Sequence, residues 1–138
     1  MAFTGNFTCN VFKTGLLNGD FDFGVGTTDV YKIALYTNAA TLNQDTTAYT
    51  TAGEVVASGY TAGGNVLTPT VGGPDGTAFI SFANTSWSGA FTARGALIYK
   101  NGGAAICVLD FGADRTSTAT FQVQFPPSSA SSAIIRIS

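Results

Sequence analysis

Two pairs of closely spaced aspartates are the residues of this sequence whose type and spacing could support chemistry. Asp20 and Asp22 lie in the stretch NGDFDFG, and Asp110 and Asp114 follow a strongly apolar run. Paired carboxylates act as acid and base in glycoside hydrolysis, and an Asp-x-Asp pair can bind Ca²⁺, which takes about six to eight oxygen ligands. The preferred interpretation for both pairs is structural, because turn aspartates accept hydrogen bonds from nearby backbone amides and Arg115 offers a local ion pair.

Other reactive groups are scarce. The chain has no histidine, so Ser–His and Cys–His catalysis are excluded and general acid–base catalysis loses its commonest residue. The Gly-x-Gly at residues 24–26 lacks the third glycine of a dinucleotide-binding loop. For the widely separated Cys9 and Cys107 we expect reduced, partly buried thiols, with a disulfide as the alternative, and no metal site. The sequence therefore predicts a protein that is not an enzyme and that carries no cofactor or metal.

The polarity of the chain comes mainly from uncharged residues. Charged residues make up 10% of the sequence, against about 25% in an average domain, and Thr, Ser, Asn and Gln supply the remainder. Two interpretations stay open. An uncharged polar surface costs less free energy to bury against a partner than a charged one, or threonine is frequent here only because it favours strands.

Charge and hydropathy also exclude two classes of partner. The net charge is −2 and the chain has six Lys and Arg, too few for the phosphate neutralisation that direct nucleic-acid binding requires. The first ten residues lack the basic and apolar regions of a signal peptide, and no apolar run is long enough for a membrane helix. We expect no membrane partner and a protein made and used, or assembled, in a cytoplasm. The length fits one domain comprising residues 1–138.

The C-terminal two-thirds of the chain has the periodicity of β-strands. Phe121, Val123 and Phe125 alternate with polar residues, which indicates a strand with one buried face. The run at 104–111 is apolar on both faces, as expected of a central strand. The sequence Asn-Gly-Gly at 101–103 predicts a β-hairpin between this run and the preceding one, because Asn and Gly both tolerate positive φ.

The remaining elements complete a predicted all-β fold. Further strands are predicted at residues 30–37, 66–71, 77–83 and 133–137. Pro69 would place the second of these at a sheet edge. Helix is confined to a short amphipathic segment at 8–17, ended by Gly19, and a single turn within 40–49. We predict an antiparallel two-sheet sandwich, jelly-roll-like, with at most one short N-terminal helix.

Aromatic residues provide candidate contact surfaces. Five of the eleven phenylalanines fall near the N-terminus, so residues 1–24 form either a lid over one end of the sandwich or an arm that docks on a neighbouring subunit. Trp87, with Tyr49, Tyr60 and Tyr99, forms either a sugar-stacking platform or part of the core. The residues expected at a partner interface are Phe3, Phe7, Phe12, Leu16, Leu17, Tyr60 and Trp87.

A series of sequence blocks resembles those of a family of small tailed-bacteriophage virion proteins. The blocks are FKTGLLNGDFDF at 12–23, YKIALY at 31–36, TNAATL at 37–42, Glu54-Val55, GYTAGG at 59–64, NTSWSG at 84–89, ARGALIY at 93–99 and VLDFG at 108–112. Their order and spacing over about residues 12–125 are more specific than any single block. The family's opening commonly has a histidine between the glycine and the Asp-Phe pair. Here Gly19 is followed directly by Asp20, so no histidine-dependent role carries over.

The resemblance implies a structural virion component, most like a capsid cement or decoration protein. Such a protein would bind the major capsid protein on the outside of the head and stabilise its lattice, after assembly in the host cytoplasm. Self-association is expected as well, as a homodimer rather than a homotrimer, because two-fold interfaces are commonest. The alternatives are a minor tail or neck component of the virion, and a carbohydrate-binding module that uses Trp87 and exposed tyrosines.

Overall fold

The computed structural model describes residues 3–73, 76–127, 129 and 133–137 of the chain. Within these residues lie one helix, α1 (Asn10–Asn18), and ten β-strands. The strands are β1 (Phe7–Thr8), β2 (Tyr31–Tyr36), β3 (Asn65–Leu67), β4 (Pro69–Gly72), β5 (Ala78–Phe82), β6 (Thr85–Ser88), β7 (Thr92–Lys100), β8 (Ala105–Thr116), β9 (Thr120–Val123) and β10 (Ile135–Ile137).

The largest sheet has five antiparallel strands in the order β1-β8-β7-β2-β3. β2 and β7 pair along the full length of β2, from Tyr31 opposite Lys100 to Tyr36 opposite Gly95. Their consecutive apolar side chains are buried, which requires cover on both faces of the sheet. The predicted strand at 104–111 is confirmed as the buried first half of β8. It lies one place from the edge, where the two residues of β1 cover only Cys107 and Val108.

The hairpin predicted at residues 101–103 is confirmed. It joins β7 to β8, with Gly103 N–H donating to Lys100 O at 2.9 Å and Lys100 N–H donating to Ala104 O at 3.0 Å. The stated reason for it is only half right. Gly102 has a φ of 76°, whereas no non-glycine residue in the described part of the chain, Asn101 included, has a positive φ. The turn therefore depends on the glycine.

A second sheet has three strands in the order β10-β5-β4. The single strand predicted at 66–71 is wrong, because the chain changes sheets within it. β3 pairs with β2, β4 pairs with β5, and between them Thr68 O accepts a hydrogen bond from Ala83 N–H at 3.0 Å. The edge position of Pro69 is confirmed, since β4 is an outer strand and a proline there removes no ladder hydrogen bond.

A two-stranded ladder of β6 and β9 continues the register of β7 and β8. Thr92 pairs with Thr116, and Ser88 pairs with Thr120, so a step of four residues on one side matches a step of four on the other. The two ladders are one long ribbon that is interrupted around residues 89–91. The amide of Asn65 in β3 donates to Thr85 Oγ1 at 2.9 Å and so links the largest sheet to this ribbon.

The fold is all-β, with antiparallel sheets packed as sandwich-like layers and one short helix; the jelly-roll part of the prediction is not confirmed. Aromatic rings fill the space between layers: Phe23 stacks on Tyr31 at 4.3 Å between ring centroids and meets Phe82 edge-on at 6.4 Å. The helix predicted at 8–17 is confirmed as α1, with Gly19 as its C-cap. The helical turn predicted within 40–49 is wrong.

The segment 40–49 is instead held in an extended approach to the sheet. Ala48 forms a β-bridge with Ala104, and Ala105 N–H donates to Thr47 O at 2.9 Å. Pairing to β8 therefore overrides any local helical preference. No helix in the described residues is long and apolar enough to cross a bilayer.

Candidate functional site

The phenylalanine-rich N-terminal segment packs on its own chain. Phe3 is buried beside the backbone of Gly95, and the guanidinium of Arg94 lies 5.7 Å from its ring centroid. Asn6 Oδ1 accepts a hydrogen bond from Asp110 N–H at 2.6 Å. Of the two interpretations of residues 1–24, the structure shows the intramolecular lid, with residues 1 and 2 outside the described part.

The first aspartate pair performs turn chemistry, as preferred from the sequence. Asp22 Oδ1 accepts from Gly24 N–H at 2.8 Å. The Lys100 ammonium donates to Asp20 O at 2.6 Å and lies 3.3 Å from Asp29 Oδ2. The hydrogen bond from Asp22 N–H, together with Lys100, holds the pKa of Asp29 below its ordinary value. A lysine thus supplies the positive charge where the Ca²⁺ interpretation would place a metal.

The second aspartate pair is also structural, but its partner differs from the one expected. Asp110 forms an ion pair with Arg94 on the adjacent strand β7 and accepts from Gly112 N–H at 2.8 Å. Arg115 donates to the carbonyl of Phe111 at 3.0 Å. The expected local ion pair with Arg115 is therefore wrong for Asp110. The register of β8 against β7 shifts at this point, which brings Arg94 opposite Asp110.

The described residues contain no group of three His, Cys, Asp or Glu that could hold a metal ion. Cys9 and Cys107 are both free and buried. Burial raises the pKa of the Cys9 thiol to about 11, against the opposing influence of Lys13. Burial also raises the pKa of Cys107, with a further contribution from Cys9. Because the thiolate is the reactive form, these environments suppress nucleophilic chemistry at both sulfurs.

A buried carboxylate that sequence reasoning assigned no role organises the loop between β2 and β3. Glu54 is 7% exposed and accepts three hydrogen bonds. The donors are Tyr49 Oη at 2.6 Å, Tyr60 Oη at 2.5 Å and Gly63 N–H at 2.8 Å. Burying a carboxylate is costly unless it is hydrogen-bonded, so this set of donors is a condition for the fold of the loop. The available signal was a lone Glu followed closely by Tyr and Gly.

The tryptophan and its tyrosine neighbours lie in the core, which was the alternative to a sugar-stacking platform. Trp87 is 4% exposed and packs against Tyr60 and Phe121, with ring centroids 6.0 and 6.4 Å away. Tyr60 and Tyr99 are also buried. Only Tyr49 of the proposed platform is half-buried, with its ring stacked on Tyr99. A platform made of Trp87, Tyr60 and Tyr99 is therefore wrong.

The surface feature best suited to a partner is a groove between α1 and β10, with a volume of about 760 Å³. On the helix side it is lined by Phe12, Lys13, Leu16 and Leu17, and on the strand side by residues 134–137. Leu17 is 91% exposed, and Ile137 is half-exposed. We call this feature the α1–β10 groove.

The predicted interface residues divide between this groove and the core. Phe12, Leu16 and Leu17 line the groove, although only Leu17 is fully exposed. Phe3, Tyr60 and Trp87 are buried elsewhere in the chain, and Phe7 is half-buried in β1. Buried side chains offer no area to a partner in this fold, so the structure corrects the prediction for Phe3, Tyr60 and Trp87. The isoleucines of β10 were missed, because a three-residue strand gives no clue to its neighbours.

Comparisons of this chain with protein-family models, with curated protein sequences and with solved structures find no match. The fold and the groove therefore define it as an antiparallel, sandwich-like β-protein with a contact surface.

Proposed function

We propose that this chain is a non-enzymatic structural protein of a tailed-bacteriophage virion. It acts as a cement or decoration protein that binds the outer surface of the head, after assembly in the host cytoplasm, and stabilises the lattice of the major capsid protein. The observation that carries the proposal is the α1–β10 groove, where Leu17 and Ile137 expose apolar area beside a helix. Exposed contiguous apolar area is typical of a protein contact surface.

The resemblance noted in the sequence supports the same proposal. The blocks YKIALY, ARGALIY and VLDFG are the adjacent strands β2, β7 and β8, and the blocks containing Glu54 and GYTAGG form the buried hydrogen-bond network beside them. The resembling residues thus make up one structural unit. Its low content of charged residues, 10%, suits wide uncharged contact with a partner.

Cement activity is a matter of binding thermodynamics. A protein that binds the assembled shell, and not its dissociated subunits, stabilises the shell by mass action, by about 2.7 kcal/mol per site when its free concentration is a hundred times its Kd. No reacting group is needed. Self-association into a homodimer would add a second linked contact on the lattice.

Quantitative mass spectrometry of purified particles tests the proposal. We expect a copy number equal to that of the major capsid protein or a simple fraction of it. Particles stripped of the protein and then saturated with it should also rupture at a higher temperature than stripped particles. A few copies per particle would place the chain in the tail or neck instead. Absence from the particle, or an unchanged rupture temperature at saturation, would overturn the cement function.

A further inference from the structure

The α1–β10 groove runs along an open strand edge. Its strand side is lined by four consecutive residues, 134–137. A depression over one face of a strand would meet only alternate residues, because successive side chains point to opposite faces. In the described residues β10 pairs only with β5 and is the outer strand of its sheet. The groove therefore follows the unpaired edge of β10.

The helix forms the opposite wall of the groove. Phe12 and Leu16 are four residues apart, as are Lys13 and Leu17, so these side chains form one stripe of α1. The wall is apolar at Phe12, Leu16 and Leu17 and carries one exposed cation, Lys13. An extended segment laid along β10 would place alternate side chains against this stripe.

The charge of the groove discriminates between occupants. The residues that line it include Lys13 and Arg136 and, in the described part of the chain, no carboxylate. A second copy bound by two-fold symmetry would bring the same patch against itself, and Lys13 against a like charge. An occupant with carboxylates beside its apolar residues would instead be attracted to Lys13.

We propose that the α1–β10 groove binds an extended acidic segment of a partner protein, which adds to β10 as a fourth strand of the three-stranded sheet. Main-chain hydrogen bonds to β10 hold the segment, apolar side chains at alternate positions pack on Leu16 and Leu17, and a carboxylate pairs with Lys13. That the partner is the capsid lattice rests on the proposed function, whereas the chemistry of the segment follows from the groove.

Capped hexapeptides test the binding mode. An alternating Glu–Val peptide should shift the backbone amide resonances of Lys13, Leu17 and Ile137, and an alternating Lys–Val peptide should leave them unchanged. N-methylation of the acidic peptide at either its Glu or its Val residues blocks one strand edge, so one version should bind at least about tenfold more weakly than the other. Equal binding of the acidic and basic peptides, equal effects of the two methylations, or shifts confined to other residues would overturn the proposal.

Surface variants then link the groove to the particle. Lys13→Glu and Leu17→Glu should each weaken binding of the acidic peptide and of stripped particles by at least about fivefold. The controls are Thr14→Glu, on the same helix outside the groove, and Val56→Glu, which is 96% exposed at a distant site. Wild-type particle binding by the two groove variants would refute the inference and leave cement function intact. Peptide binding without particle binding would refute cement function and leave the groove assignment intact.

Discussion

The hydroxyl of Tyr60 donates a 2.5 Å hydrogen bond to Oε2 of Glu54 and accepts one from Leu35 N–H at 3.0 Å. One phenol thus joins a buried carboxylate to the backbone of β2. Since Glu54 also accepts from Gly63 N–H, the whole loop from 54 to 63 is tied to the central sheet. The loop order depends on polar groups that have no solvent to replace them.

Removing this hydroxyl should therefore cost more stability than removing the other phenol on Glu54. Tyr60→Phe leaves both Leu35 N–H and one oxygen of Glu54 without that partner, each worth about 1–3 kcal/mol. Tyr49→Phe, the matched control, affects only Glu54 and is nearer the surface. We expect urea unfolding at neutral pH to show the larger loss for Tyr60→Phe. Equal losses would mean that Leu35 N–H finds another acceptor.

Alkaline pH should destabilise the protein through its tyrosines. Burial raises the pKa of all five, that of Tyr99 to about 12. The unfolded value is about 10, so the neutral phenols favour the folded state. Their contribution is complete below about pH 10 and is lost as pH rises towards and through the folded values. The buried thiols act in the same direction from slightly lower pH.

The measurement is phenolate absorbance followed together with far-ultraviolet circular dichroism as pH is raised. We expect the two signals to change in one cooperative step. Phenolate absorbance that develops near pH 10 while the dichroism stays native would show that the tyrosines are accessible, and would contradict the prediction.

The two cysteines should be unreactive until the protein unfolds. At about pH 8 a thiol with a pKa of about 11 is almost entirely protonated, and both sulfurs are buried. Iodoacetamide labelling followed by mass spectrometry should proceed at the rate of unfolding in native protein, and rapidly in guanidinium chloride. Fast labelling of Cys9 in native protein would contradict this, as would a mass that indicates a Cys9–Cys107 disulfide.

Two glycines with the same backbone conformation should differ sharply in their tolerance of alanine. Gly64 and Gly102 have φ of 78° and 76°. A Cβ on Gly64 would collide with the carbonyl of Ile33, whereas a Cβ on Gly102 meets nothing within 4 Å. Gly102→Ala should cost about 1–2 kcal/mol through the left-handed conformation alone, and Gly64→Ala more than about 4 kcal/mol. Thermal unfolding of the two variants makes the comparison, and similar Tm values would show that β2 yields to the added methyl group.

The N-terminal lid should contribute strongly to stability. Phe3 is buried against β7, whereas Phe7 is half-buried in β1. Phe3→Ala should cost about 3–5 kcal/mol, the range for a buried phenylalanine, and Phe7→Ala clearly less. Chemical denaturation measures both. A Phe3→Ala variant as stable as the wild type would mean that the segment does not pack on its own chain in solution.

Local sequence determined the individual elements of this protein. Alternation at 121–125, the apolar run at 104–111 and the glycine after Asn101 predicted strands and a hairpin that the structure contains, because side-chain periodicity and turn conformation depend on neighbouring residues. The same is true of the short helix ended by Gly19. The turn role of Asp22 also follows from a residue two positions away, Gly24.

Tertiary structure decided everything that depends on partners distant in sequence. The split at Thr68, the pairing of Arg94 with Asp110 and the burial of Glu54 by Tyr60 each need the register between strands. The α1–β10 groove joins residues near position 15 to residues near position 136, and no local pattern specifies that neighbourhood. Periodicity fixes which face of an element is apolar, but only the packing of the complete chain determines which apolar faces are covered and which remain open.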